Sequence, residues 1–154
     1  MYFGQNTLHY QTNVHSMKKQ SERTTIAREP ELAISKAQGY YDIGSLLRIA
    51  STKIDEPFDR FALFRAGIGR KSFLHLKEAT GLDYQTLAIA LSVSTKTLQR
   101  TEVFDTVQSE KLYELAGLYS VGMSYFGKDG FRRWMERPLF TLGNRKPLDL
   151  LDVS

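Results

Sequence analysis

At 154 residues with a hydrophobic content of 42%, the chain is long enough for one domain or two small ones packed together. It has no cysteine, which excludes disulfides, thiolate nucleophiles and zinc–thiolate sites together, and it has no apolar run long enough to cross a bilayer. The net charge of +4 is mild but unevenly spread: Arg65, Arg70, Lys71, Lys77, Lys96 and Arg100 face only Glu78 and Asp83 over residues 65–100, whereas Lys111 stands against Glu102, Asp105, Glu110 and Glu114 over 101–127. A one-sided field of this kind attracts phosphate to a chosen face.

The first ten residues lack a basic start followed by an apolar stretch, so no secretory signal is expected and the chain reads as cytoplasmic. Residues 1–30 are rich in Gln, Thr, Ser and Asn without a steady apolar period. They read as a flexible arm, with order expected from about Pro30. Ile43, Leu46, Leu47 and Ala50 then recur at i, i+3, i+4 and i+7, the spacing of one helical face. Pro57 suits the first turn of the next helix, which carries Phe58, Phe61, Ala62 and Phe64 and should stop at Gly67. A helix over 71–79 follows, ended by Gly81. Asp83 is placed to cap a short helix over 84–91, and Ser94 to cap another over 95–100.

A long amphipathic helix is expected over 107–126, with Leu112, Leu115, Ala116, Tyr119, Met123 and Phe126 on its main face. Leu118, Val121 and Tyr125 lie off that face, where they could close a dimer or pack one domain on the other. A short helix over 128–135 bears Phe131, Trp134 and Met135 and ends before Pro138. Leu142-Gly143-Asn144 reads as a turn, and Pro147 opens a last helix. No segment alternates with the period of a strand, so the fold class expected is all-α.

The segment LDYQTLAIALSVSTKTLQR, residues 82–100, holds the chemistry. It consists of two short helices joined by three or four residues. Leu87, Leu91 and Leu98 are apolar where crossed helices need core contacts, Ala88 is small at the close approach, and Val93 can plug the turn. This is a helix-turn-helix pattern whose second helix is offered to the major groove. Its exposed face would carry Thr95, Lys96, Thr97, Gln99 and Arg100. Gln pairs with adenine and Arg with guanine in bidentate fashion. Ser94 at the helix start, together with Arg70, Lys71 and Lys96, is a candidate for phosphate contact. Against the pattern, the turn begins with Ser92 where glycine commonly accepts a left-handed backbone.

Nothing comparable supports catalysis. His9, His15 and His75 are scattered, with no pair at helical metal-site spacing. Asp55, Glu56 and Asp59 read as features of a helix start. Gly67-Ile68-Gly69-Arg70-Lys71 lacks the spacing of a phosphate-binding loop. No enzyme activity, cofactor or metal is expected.

From residue 66 onward the sequence resembles the Xre/MbcA/ParS antitoxins, partners of RES-domain toxins. The likeness is carried by AGIGRKSFLHLKEATGL, by STKTLQR, by the helix around residues 112–119, and by GKDGFRRWMERPLFTLGNRKPLDLL, in that order along the chain. The last is the most specific, because Trp134, Gly143, Pro147, Leu148 and Leu151 recur together in it. The resemblance implies a helix-turn-helix domain over 31–105 and a C-terminal toxin-binding domain over 106–154. It implies a dimer that covers the active site of an NAD-consuming RES toxin and binds its own promoter DNA. Trp134, Arg145, Pro147 and Leu148 mark the toxin-binding region on the same basis. Family members continue past the Pro-Leu-x-Leu-Leu helix, so the C-terminal domain is expected to be incomplete at Ser154. The alternatives are a stand-alone regulator without a toxin, and an adaptor whose helix-turn-helix no longer touches DNA.

Overall fold

A computed structural model describes residues 40–151. The chain divides into two units, Met1–Ala37 and Gln38–Ser154. The expected arm over 1–30 and the onset of order near Pro30 lie outside the described residues.

Seven α-helices follow in the described part: α1 (Ile43–Leu47), α2 (Pro57–Ala66), α3 (Arg70–Thr80), α4 (Tyr84–Ala90), α5 (Thr95–Arg100), α6 (Thr106–Phe126) and α7 (Lys128–Met135). Short 3-10 turns cover Ser51–Lys53, Phe140–Leu142 and Pro147–Leu150. Among the described residues, extended pairing is limited to two isolated bridges, Gly69 with Val103 and Leu139 with Arg145. The fold is all-α, with a helix-turn-helix part followed by a helical C-terminal region.

The local signals act where the sequence puts them. Pro57 occupies the first turn of α2, and Gly67 (φ 85°) ends it. Gly81 (φ 75°) closes α3 in the left-handed region. Asp105 caps α6 through a reciprocal box with Gln108, satisfying two N–H groups that the first turn cannot pair internally.

The long α6 is the spine. Leu112, Leu115, Ala116, Tyr119 and Met123 are buried along it, meeting Leu46, Leu47, Phe73, Leu76 and Phe131 in one core. Burial, then the charge of Glu136, pushes the Tyr119 phenol above its ordinary value, so it stays a neutral O–H. Ser109 is the polar joint: its hydroxyl accepts from the Ile68 N–H at 2.9 Å and donates to the Phe104 carbonyl at 3.1 Å. Both backbone groups are thereby paired inside the core, fixing the α2–α3 and α5–α6 connections against each other. Near the other end of the helix, the Tyr41 N–H donates to Ser124 Oγ at 3.1 Å, and Ser120 Oγ donates to the Tyr41 carbonyl at 2.7 Å.

Three expectations need correction. The first helix stops before Ala50, because Arg48 turns left-handed (φ 51°) and its N–H reaches back to the Gly44 and Ser45 carbonyls. Ala50 is exposed outside the helix. The segment opened by Pro147 forms a single 3-10 turn rather than an α-helix. Phe126 does not join the buried face of α6; it lies at the surface, stacked on Trp134.

Candidate functional site

The α4–α5 unit is built by its caps and its turn. Asp83 Oδ1 accepts from the Thr86 N–H at 2.7 Å and opens α4. That bond, helped by the Thr86 side chain, the Gln85 N–H and the charge of Lys77, holds the carboxyl below its ordinary 3.8. In the turn, the Ser92 N–H reaches the Ile89 carbonyl and the Val93 N–H reaches the Ala88 carbonyl, each at 2.9 Å. Ser92 takes the left-handed conformation (φ 54°) that helix-turn-helix turns commonly give to glycine. Its hydroxyl accepts from Lys111 Nζ at 2.9 Å, so α6 braces the turn.

Ser94 then caps α5, accepting from the Thr97 N–H at 3.0 Å and lying 2.8 Å from Thr97 Oγ1. Leu98 is the anchor, fully buried against Leu87, Ala88 and Leu91 in the core, while Val93 is half-buried beside it. Because the helix is short and held through that one residue, the rest of it faces outward. Thr95, Lys96, Thr97, Gln99 and Arg100 are all exposed, as is Ser94. The arrangement can present amide and guanidinium donors to base edges, with the lysine toward phosphate.

Lys71 is exposed at the start of α3, but Arg70 is drawn into the fold. Its Nη1 donates to the Thr101 carbonyl at 3.1 Å, its Nε lies 3.8 Å from Glu102, and its backbone N–H bonds the Glu102 carbonyl. Arg70 therefore ties the start of α3 to the end of α5 and positions the recognition helix. His75 is half-buried on α3, with Nδ1 enclosed and without a hydrogen-bond partner.

The C-terminal part is built on aromatic stacking. The Phe131 ring lies over α6 at Gly122, where any Cβ would overlap it. It meets Tyr119 edge-on at 5.1 Å and stacks with Trp134 at 5.6 Å; Phe126 stacks on Trp134 at 5.9 Å. Beyond α7 the chain forms a small loop closed by Leu139 and Arg145, with Gly143 (φ 65°) and Asn144 (φ 62°) left-handed just before it closes.

The four residues marked for toxin contact divide accordingly. Arg145 is exposed on this loop, Trp134 and Leu148 are half-buried against the core, and Pro147 is buried. Sequence reasoning passed over Phe140, which stands 94% exposed on the same loop as Arg145. The signal was there, since an aromatic just before a Leu-Gly turn has no helical face to join. Tyr125 (74% exposed) and Phe126 add apolar surface at the C-terminal end of α6. Among the described residues, no helix is long and apolar enough to cross a membrane.

Two family models match the chain in succession: the antitoxin Xre-like helix-turn-helix domain over residues 59–117, and the antitoxin Xre/MbcA/ParS C-terminal toxin-binding domain over 122–154. Comparison with curated proteins gave no match. The first model covers the α4–α5 unit with its polar outward helix, and the second begins where the aromatic stack sits on α6. This chain thus belongs to the Xre/MbcA/ParS antitoxins, a family of regulators that join a helix-turn-helix to a toxin-binding domain.

Proposed function

We propose that this antitoxin neutralises a RES-type, NAD-consuming toxin in the cytoplasm and represses its own operon by binding promoter DNA as a homodimer. The observation that carries the reading is the pairing of two unlike surfaces in one body. A polar recognition helix sits on one part, and a part matching a toxin-binding domain exposes Tyr125, Phe126, Phe140 and Arg145. Contact with DNA does not call for that apolar surface, whereas a protein partner would bury it.

In this reading residues 31–105 serve the operator. Lys71 and Lys96 meet phosphate, Ser94, Thr95 and Thr97 line the start of the recognition helix, and Gln99 and Arg100 read bases. Arg70 acts by holding α5 in place. Residues 106–154 serve the toxin, with Phe140 and Arg145 in contact and Trp134, Pro147 and Leu148 supporting the loop.

Co-expression with the product of the neighbouring gene tests both halves. Copurification and rescued growth are expected, with promoter DNA retarded by the purified chain. Phe140→Asp together with Tyr125→Asp should lose the toxin and keep the DNA. A harmless neighbour that does not copurify would leave a stand-alone regulator.

A further inference from the structure

Helix α2 is unusual in burying none of its ten residues. Arg60, Leu63 and Phe64 turn to the body of the protein: Phe64 meets Tyr113 edge-on at 5.4 Å, and Arg60 donates to Tyr113 Oη at 3.3 Å. The opposite face carries Phe58 (87% exposed), Phe61 (55% exposed), Ala62 and Arg65, spaced as one helical stripe. The Arg65 guanidinium lies over the Phe61 ring at 5.5 Å. Two phenylalanines side by side in water on a rigid helix mark a surface built to be covered.

The order of residues says by what. The stripe is symmetric about the point between Phe61 and Ala62. If a second α2 is laid antiparallel across that point, Phe58 faces Arg65, and the large Phe61 faces the small Ala62. Asp59 falls within one residue's rise, about 1.5 Å, of the level of Arg65. Each contact then occurs twice, as two-fold symmetry requires. Acidic residues (Asp55, Glu56, Asp59) stand at one end of the stripe and Arg65 at the other, so antiparallel pairing sets opposite charges and opposite helix dipoles together.

We infer that the outward face of α2 is the contact through which two copies of this chain pair, antiparallel and centred between Phe61 and Ala62. The inference rests on the homodimer reading above and gives that dimer its contact. It leaves the aromatic surface of α6 and the 139–145 loop to the toxin.

Sedimentation of the full chain tests it, using Arg65→Glu, Asp59→Lys, and Phe58→Asp with Phe61→Asp. These side chains face solvent, and circular dichroism checks that each variant folds. The wild type should dimerise, the double phenylalanine variant should be monomeric, and each charge reversal should weaken the dimer by about tenfold. An equimolar mixture of Arg65→Glu and Asp59→Lys should recover it, because the mixed pair restores both attractions. Recovery requires that position 65 of one copy lie against position 59 of the other. A dimer indifferent to these changes but lost with Val121→Asp would overturn the α2 contact and leave the homodimer standing. Weakening without recovery in the mixture would overturn the antiparallel register. A wild type that stays monomeric at about 100 μM, well above the micromolar range expected of a modest interface, would overturn both. Toxin copurification with the same variants is a separate readout, so the antitoxin reading stands or falls on its own.

Discussion

Helices α5 and α7 are both short, six and eight residues, and both turn polar or charged residues outward, but the core holds them differently. The core grips α5 through Leu98 and leaves a wholly polar outside. It grips α7 through Phe131 and Met135, and the aromatic packing spreads sideways through Trp134 to Phe126 at the surface. A polar face needs only a cap and one anchor, whereas an aromatic face needs a platform that keeps its rings from collapsing inward. The polar face proposed for DNA is therefore a property of a few consecutive residues, and the aromatic surface proposed for the toxin a property of several elements.

The sharpest way to break this comparison is to remove the platform. Phe131→Ala should lower stability by about 3–5 kcal/mol in urea titrations, because the ring is buried between Tyr119, Trp134 and Gly122. Toxin binding should fall with it. If stability drops by less than about 1 kcal/mol, the stack is not what supports the C-terminal part.

On the DNA side the effects should be local and leave folding intact. Arg100→Ala and Gln99→Ala should each remove about 1–3 kcal/mol of discrimination at one base position, measured by competition between operator variants. Lys96→Ala should instead weaken all sequences alike and flatten the salt dependence by about 0.9 in log–log slope. A Lys96 effect confined to one base would reverse the assigned roles.

Smaller effects sharpen the account of how α4 and α5 are held. Ser92→Gly relieves a left-handed serine and should stabilise the protein by about 0.5–1 kcal/mol, less whatever is lost with the Lys111 contact. A destabilised variant would show that the Lys111 brace outweighs the strain. Asp83→Ala should cost about 1 kcal/mol at pH 7 through loss of the α4 cap. The Asp83 carboxyl titrates lower in the folded chain than its ordinary 3.8. Its contribution is therefore full above that pH and is lost as pH falls through the lowered folded value, so the gap between wild type and variant should close in acid. A gap unchanged in acid would mean that the charge on Asp83 plays no part.

Much of this was legible in the residues themselves. The caps at Asp83 and Ser94, the stops at Gly67 and Gly81, and the spacing of Leu87, Ala88, Leu91 and Leu98 act over a turn or two of chain. The exposed face of α5 followed from them. The family followed from words of sequence such as STKTLQR and the Trp134-to-Leu151 stretch. Two of the expectations failed for separate reasons: Arg48 ends α1 without glycine, and Phe126 stacks on Trp134 at the surface instead of joining the buried face of α6. Arg70 is drawn to Thr101 and Glu102, some thirty residues away, a contact no local pattern announces.

What the sequence alone determined, then, is the helical architecture, the helix-turn-helix and the antitoxin family, because periodicity, capping and turn chemistry are short-range. What only the tertiary structure decided is which side chains are left over. Pro147 and Arg145 differ by two positions, yet one is buried and the other exposed. Phe58 and Phe64 share one helix, and only Phe64 finds Tyr113. Exposure is settled by where other elements pack, and no local pattern along the chain contains that information.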